Sequence, residues 1–269
     1  MRLFFLVLGL LYFTAAHSSE TQVPPLPFSV CSHILPYGKP QQAQKYQIPI
    51  CRHAYALEYS GRYKTPSWVA YILRPEYTVG CLDRVSSFTV DRSILKQYRS
   101  SPSDYEGTGY DMGHIVSSAD MSWDELVMRE TFIMTNITPQ IPGFNRGIWK
   151  RLEDQTRAWA RERKHELLVY AGTIYTGDDN TIGSNRVSVP SGFFKVIVDI
   201  TTKEVLAFRF PHTPIRASLD LFLVDVERLQ ADTGIYLPLP SDYVQSTELW
   251  PARLKSTRIA KSIVCTAAR

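Results

Sequence analysis

The chain has 269 residues, 44 % of them hydrophobic, and 30 Lys and Arg against 26 Asp and Glu give it a formal charge of +4. Collagen-like, low-complexity and disordered classes are excluded, and the length allows one large domain or two small ones. The mild basic balance permits a polyanionic partner without demonstrating one.

The amino terminus has the form of a secretory signal. Arg2 precedes the apolar run Leu3 to Ala15, and Thr14-Ala15-Ala16 followed by His17-Ser18-Ser19 supplies small residues for cleavage, so residues 1–16 are expected to be removed by a cut between positions 16 and 18. An apolar run of this length falls short of the roughly 20 residues that a membrane span needs. A secreted protein, extracellular or periplasmic and free of the membrane after cleavage, is the expectation. In an oxidising compartment the cysteines Cys31, Cys51, Cys81 and Cys265 suggest two disulfides. They lack CxxC spacing and no HxxxH accompanies them, which argues against zinc. Of the three pairings, Cys31 with Cys51 and Cys81 with Cys265 is preferred, because it would pin an N-terminal arm and the C-terminal tail to the body.

Residues 17–50, rich in Pro, Gln and Ser, read as that arm. The remainder, 51–269, has no internal repeat, charge block or Gly/Ser linker and reads as a single domain. Its β-branched and aromatic runs predict strands at 54–59, 68–73, 132–137, 167–174, 193–200 and 204–210, with a long loop over 75–110. Two helices are predicted. One spans 146–163, with Asn145 as a plausible N-cap and Ile148, Leu152 and Trp159 as a buried stripe. The other spans 218–231, stopped by Thr233-Gly234.

HExxH, GxSxG, GxxxxGK[ST] and GxGxxG are all missing from the sequence, which removes the usual support for zincin, α/β-hydrolase, P-loop and dinucleotide-binding readings. Two segments remain unusual: Tyr110-Asp111-Met112-Gly113-His114 after a Gly-rich loop, and Thr135-Asn136-Ile137-Thr138-Pro139-Gln140 leading to Asn145. Taken alone each residue has a bland explanation. Asn145 suits a helix cap, a lone histidine is commonly structural, and Glu153 with Arg157 makes an i,i+4 pair on the face opposite the apolar stripe, where a solvated ion pair is ordinary. An imidazole with a reference pKa of about 6.5 is nevertheless a natural general base near neutrality.

Together, YDMGH, TNITPQ and N-x-x-x-W-x-x-L-E-x-x-x-R resemble the DNA/RNA non-specific endonucleases, whose hallmark is DRGH followed by N-x-x-P-Q and an Asn-bearing helix. TPSWVAYIL, VPSGFFKVIVD and VERLQADTGI extend the resemblance over roughly residues 51–240. It implies an α+β fold, a central antiparallel sheet flanked by helices with a ββα-metal (His-Me finger) motif. It also implies a Mg²⁺-dependent hydrolase of DNA and RNA, with Mn²⁺ as a substitute metal and a homodimer as a common state. Residue by residue, His114 matches the general base and Asn145 the side chain that binds the metal. Glu153 matches an acid that holds the metal's waters, Arg157 a cation near the phosphate, Asn136 a supporting residue and Arg84 an upstream arginine. Position 112 departs from the hallmark, with Met in place of Arg. That departure keeps open a nucleic-acid-binding protein with impaired catalysis, and a narrower phosphodiesterase is a further alternative.

Overall fold

In chain order the strands are β1 (Gln41–Gln42), β2 (Gln47–Cys51), β3 (Tyr55–Ser60), β4 (Thr65–Leu73), β5 (Asp111–His114), β6 (Ile137–Gln140), β7 (Leu167–Ile174), β8 (Thr181–Ile182), β9 (Val187–Ser188), β10 (Gly192–Asp199), β11 (Glu204–Pro211), β12 (Ile235–Tyr236) and β13 (Val244–Gln245). The α-helices are α1 (Glu125–Thr131), α2 (Lys150–Arg163) and α3 (Val226–Thr233). The computed structural model describes residues 24–85, 87–177 and 180–252. The expected signal peptide therefore lies outside the described residues. Among them, no helix is long and apolar enough to cross a membrane.

Seven strands form the central sheet in the order β13-β11-β10-β7-β4-β3-β2, antiparallel except for the short parallel pairing of β13 with β11. Its inner strands are buried on both faces, and alternation divides their side chains between two cores. Val69, Tyr71, Val169, Phe193, Ile197 and Phe208 meet the stripe of Ile148, just before α2, with Leu152 and Trp159 in it, all three buried as their spacing predicts. On the other face Trp68, Ala70, Leu168, Tyr170, Val196 and Val198 meet Val226 and Leu229 of α3, together with Ile34 and Leu35.

Residues expected as an N-terminal arm contribute an edge strand, since β2 pairs with β3. Cys31 is bonded to Cys51. Cys81 is also disulfide-bonded, while Cys265, its expected partner, lies outside the described residues. Three local expectations need correction. The segment 132–137 is a helix end and a 3₁₀ turn (Met134–Asn136), with the strand starting only at Ile137, because the backbone there turns to pair with β5. The helix predicted over 218–231 is a 3₁₀ turn (Leu219–Phe222) followed by α3, which begins at its own N-cap, Asp225, whose side chain accepts from the Arg228 N–H. The helix predicted from 146 opens instead with a π-helical turn, Phe144–Trp149.

Candidate active site

β5 and β6 form a two-stranded antiparallel ribbon in which His114 faces Ile137 and Asp111 faces Gln140. Gly113 is required by close approach: a Cβ there would come within 2.3 Å of the buried Gln140 amide. From β6 the chain passes through Ile141-Pro142-Gly143 into the π-helical turn and on into α2. The turn is tied to the ribbon by three side chains. The Trp149 indole N–H donates to the His114 carbonyl (3.2 Å), and the Asn145 amide N–H donates to Asp111 Oδ2 (2.9 Å). The Arg146 guanidinium forks onto the same carboxylate through Nε (2.9 Å) and Nη2 (2.6 Å). Asn145 is thus inside the turn and makes no side-chain cap. With its amide nitrogen engaged by Asp111, its carbonyl oxygen is the atom left to serve as a ligand.

Alternation along β5 puts Met112 and His114 on the ribbon face away from Asp111. The His114 ring is 8 % exposed, edge-on to Phe132 (4.7 Å between centroids) and beside Phe88 (5.4 Å). Arg84 stacks over Phe132 at 5.4 Å. Burial, aided by the Arg84 charge, pushes the His114 imidazole down to about 3, so it is neutral at any working pH. Its Nε2 is buried without a hydrogen-bond partner among the described residues. Asn136 is fully buried and acts as a clamp: its oxygen accepts from the Val116 N–H (2.9 Å), and its nitrogen donates to the carbonyls of Val116 (3.0 Å) and Thr131 (2.9 Å). It holds the chain just past His114 against the end of α1.

The α2 face bearing Glu153 and Arg157 is not the solvated surface that spacing alone suggests. The segment after His114 folds over it, leaving the Arg157 side chain 12 % exposed and paired with Asp120 (2.5 Å) and Asp154 (2.5 Å) rather than with Glu153. Asp120 also accepts from the Tyr71 hydroxyl at 2.7 Å. Burial pushes the Glu153 carboxyl up to about 7, against the pull of Lys195. Lys195 is fully buried in β10, and its ammonium lies 4.3 Å over the Trp149 ring, without a hydrogen-bond partner among the described residues. Burial lowers its pKa, and the neighbouring carboxylates of Glu153 and Asp120 oppose that.

Lys195, Asp120 and Asp111 are members of the site that motif reading did not assign. Lys195 had a signal, a lysine between the apolar pairs Phe193-Phe194 and Val196-Ile197. Asp120 had none, because its role depends on a loop folding over a helix. The donors suit a hard divalent cation that keeps several waters: an amide oxygen at Asn145, oriented by Asp111, and a carboxylate at Glu153 in the first turn of α2 to hold such waters. Groups of three or more His, Cys, Asp or Glu that could hold a metal ion do not occur among the described residues, so a cation here would depend on water for most of its ligands.

The model of the DNA/RNA non-specific endonucleases matches residues 32–241. This chain is a member of that family. It is 31 % identical over 219 residues to mitochondrial endonuclease G of Bos taurus, covering 74 % of this chain and 73 % of that one. It is also 31 % identical over 236 residues to a nuclease of Nostoc sp., covering 80 % and 84 %. A solved complex of EndoG with EndoGI superposes with a TM-score of 0.72 at 27 % identity, covering 81 % of this chain and 96 % of that one. The fold is therefore the ββα-metal nuclease fold, and family membership makes the chain a metal-dependent, phosphodiester-hydrolysing enzyme that acts on nucleic acid. The expected extracellular or periplasmic location is corrected by the same relatives: those from Bos taurus, Homo sapiens, Schizosaccharomyces pombe and Saccharomyces cerevisiae are mitochondrial by name. The expected location rests on the leader alone, which lies outside the described residues.

Proposed function

We propose that the chain hydrolyses DNA and RNA with little sequence preference, using Mg²⁺ with Mn²⁺ as a substitute, His114 as general base and Asn145 as the metal ligand. The observation that carries this is the closure of the strand-strand-helix unit at those two residues: the Trp149 bond ends on the His114 carbonyl, and Asp111 orients the Asn145 amide. When bound, the cation supplies positive charge to the phosphate as its oxygens gain negative charge. His114 Nε2 takes a proton from the attacking water, whose oxygen bonds to phosphorus as the P–O bond to the leaving oxygen breaks and that oxygen takes a proton from solvent. A phosphate anion raises the basicity of a neighbouring imidazole, so substrate strengthens a base that burial and Arg84 weaken.

Glu153, when ionised, orients water on the same side of α2. Arg84 beside His114 and Arg146 beside Asn145 supply the positive charge that Met112 lacks, and Arg157 braces the helix through Asp120 and Asp154. Contacts of this kind address phosphate rather than base edges, which accounts for tolerance of both DNA and RNA. The test is incubation of the purified protein with plasmid DNA and with RNA, in Mg²⁺ or in EDTA, beside Asn145→Ala. Nicking and RNA cleavage that need Mg²⁺ and are lost in the variant are expected. Binding without cleavage, or cleavage of small diesters alone, overturns the proposal.

A further inference from the structure

The segment His212–Ala217 leaves β11 and runs alongside the π-helical turn that carries Asn145. His212 is buried, and its ring nitrogens have opposite tasks. Nδ1 lies 2.7 Å from the Pro190 carbonyl and so carries the proton, while Nε2 accepts the Ile141 N–H at 2.8 Å. The Ile141 carbonyl in turn accepts the N–H groups of both Phe144 and Asn145, each at 2.9 Å. A continuous hydrogen-bonded line thus runs from β10's entry at Pro190 through His212 and Ile141 to the backbone of Asn145.

Further along, Pro214 packs so closely on Gly143 that a Cβ there would approach it to 2.9 Å. The Ala217 carbonyl receives the Arg151 guanidinium. Such a brace matters because the turn is broken by a kink and cannot rely on α2 to hold Asn145. Gly147 within it is not helical at all (φ −100°, ψ −110°). The position of Asn145 is therefore set from outside the turn.

We propose that His212 is a positioning residue for Asn145, fixing through Ile141 the backbone from which the divalent cation is held. The inference rests on Asn145 being the metal ligand. Neutral imidazole is the form the line requires, since an imidazolium would set a second N–H against that of Ile141, and burial does lower the His212 pKa. The bland alternative is a packed core histidine, for which the edge contacts with Phe144 (5.5 Å) and Phe193 (5.0 Å) would suffice.

The two roles separate in the full-length chain by Mn²⁺ binding, read from the free-ion paramagnetic signal, together with the Mg²⁺ concentration that half-activates plasmid cleavage. His212→Phe keeps the ring packing and removes both hydrogen bonds; His212→Gln keeps an acceptor at the depth of Nε2. For His212→Phe, Mn²⁺ affinity falls about tenfold, as for other residues that orient metal ligands, and the Mg²⁺ requirement rises with it. The KM for DNA at saturating Mg²⁺ does not move, and His212→Gln restores binding. Gly143→Ala, which pushes the same segment away without removing a polar group, weakens Mn²⁺ binding independently of whether the Phe variant folds. Native Mn²⁺ affinity in the folded His212→Phe and Gly143→Ala proteins, with only the melting temperature lowered, overturns the proposal, as does failure of His212→Gln to restore binding. Native affinity in Asn145→Ala overturns the ligand assignment itself, and so tells that failure apart from one confined to His212.

Discussion

The two faces of the central sheet are built to different rules. Against α3 the sheet presents a largely apolar surface, Ala70, Leu168, Tyr170, Val196 and Val198, closed at one end by the Cys31–Cys51 bond, and its buried carboxylate Glu58 is satisfied by Lys39, Gln42 and the Trp68 indole. Against α2 it presents an equally buried surface interrupted by charge: Lys195 in the strand, Asp120 from the loop, and Glu153 and Arg157 from the helix. A buried ammonium without a hydrogen bond is costly, and hydrophobic residues of the same volume commonly improve stability at such positions. On the function proposed above, the α2 face keeps its charges for the chemistry, and the α3 face serves to hold the fold together.

Four changes would break or sharpen this division, from the largest effect to the smallest. His114→Ala should lower plasmid cleavage by about 10²–10⁴-fold, the range for loss of a general base, while the protein still unfolds cooperatively. Leu229→Ala on the other face should do the reverse, costing about 2–5 kcal/mol in urea unfolding while the cleavage rate per folded molecule stays native. A rate loss from Leu229→Ala would show that the two faces are not independent.

The third is a pH test. His114 sits at about 3 in the folded chain against an ordinary 6.5, so between those values the unfolded chain holds more protons and stability falls as the pH drops below 6.5. Glu153 is raised to about 7 from an ordinary 4.5, so between those values the folded chain holds more protons and stability rises as the pH falls through that window. The two oppose each other between pH 4.5 and 6.5. Glu153→Gln should expose the histidine's share as a steeper acid loss, at most about 1.4 kcal/mol per pH unit, in urea midpoints compared at pH 7 and 5. An unchanged slope would remove the opposition. Met112→Arg, the smallest effect, should change the plasmid cleavage rate far less than His114→Ala does. Met112 packs against Tyr105, Met134, Ile137, Ile182 and Val187, so an arginine there must lift away from that cluster.

The strands of the central sheet and the α2 stripe were legible because burial on a regular element leaves a period in the sequence: Val69 and Tyr71, or Ile148, Leu152 and Trp159, can be counted off. His114, Asn145 and Glu153 were singled out by their motif spacing. Asp120 was not, since it reaches Arg157 across a loop. The same holds for the π-helical turn, which differs from an α-helix by backbone geometry that Asn145-Arg146-Gly147 does not announce. Mistaking 132–137 for a strand had a related cause: Phe132 and Ile133 are buried by tertiary packing, and their hydrophobicity carries no period of its own.

The sheet's two outer strands bear on how the molecule meets others of its kind. At one margin β2 carries Pro49, which has no N–H to offer, and Leu26 returns to bridge Cys51 at its end. At the other, β13 is two residues long and runs parallel to its neighbour. Short, proline-bearing margins resist the addition of a further strand. Self-association of this chain would therefore proceed through helices or loops, and the sheet is protected against the edge-to-edge stacking that turns open β-structures into aggregates.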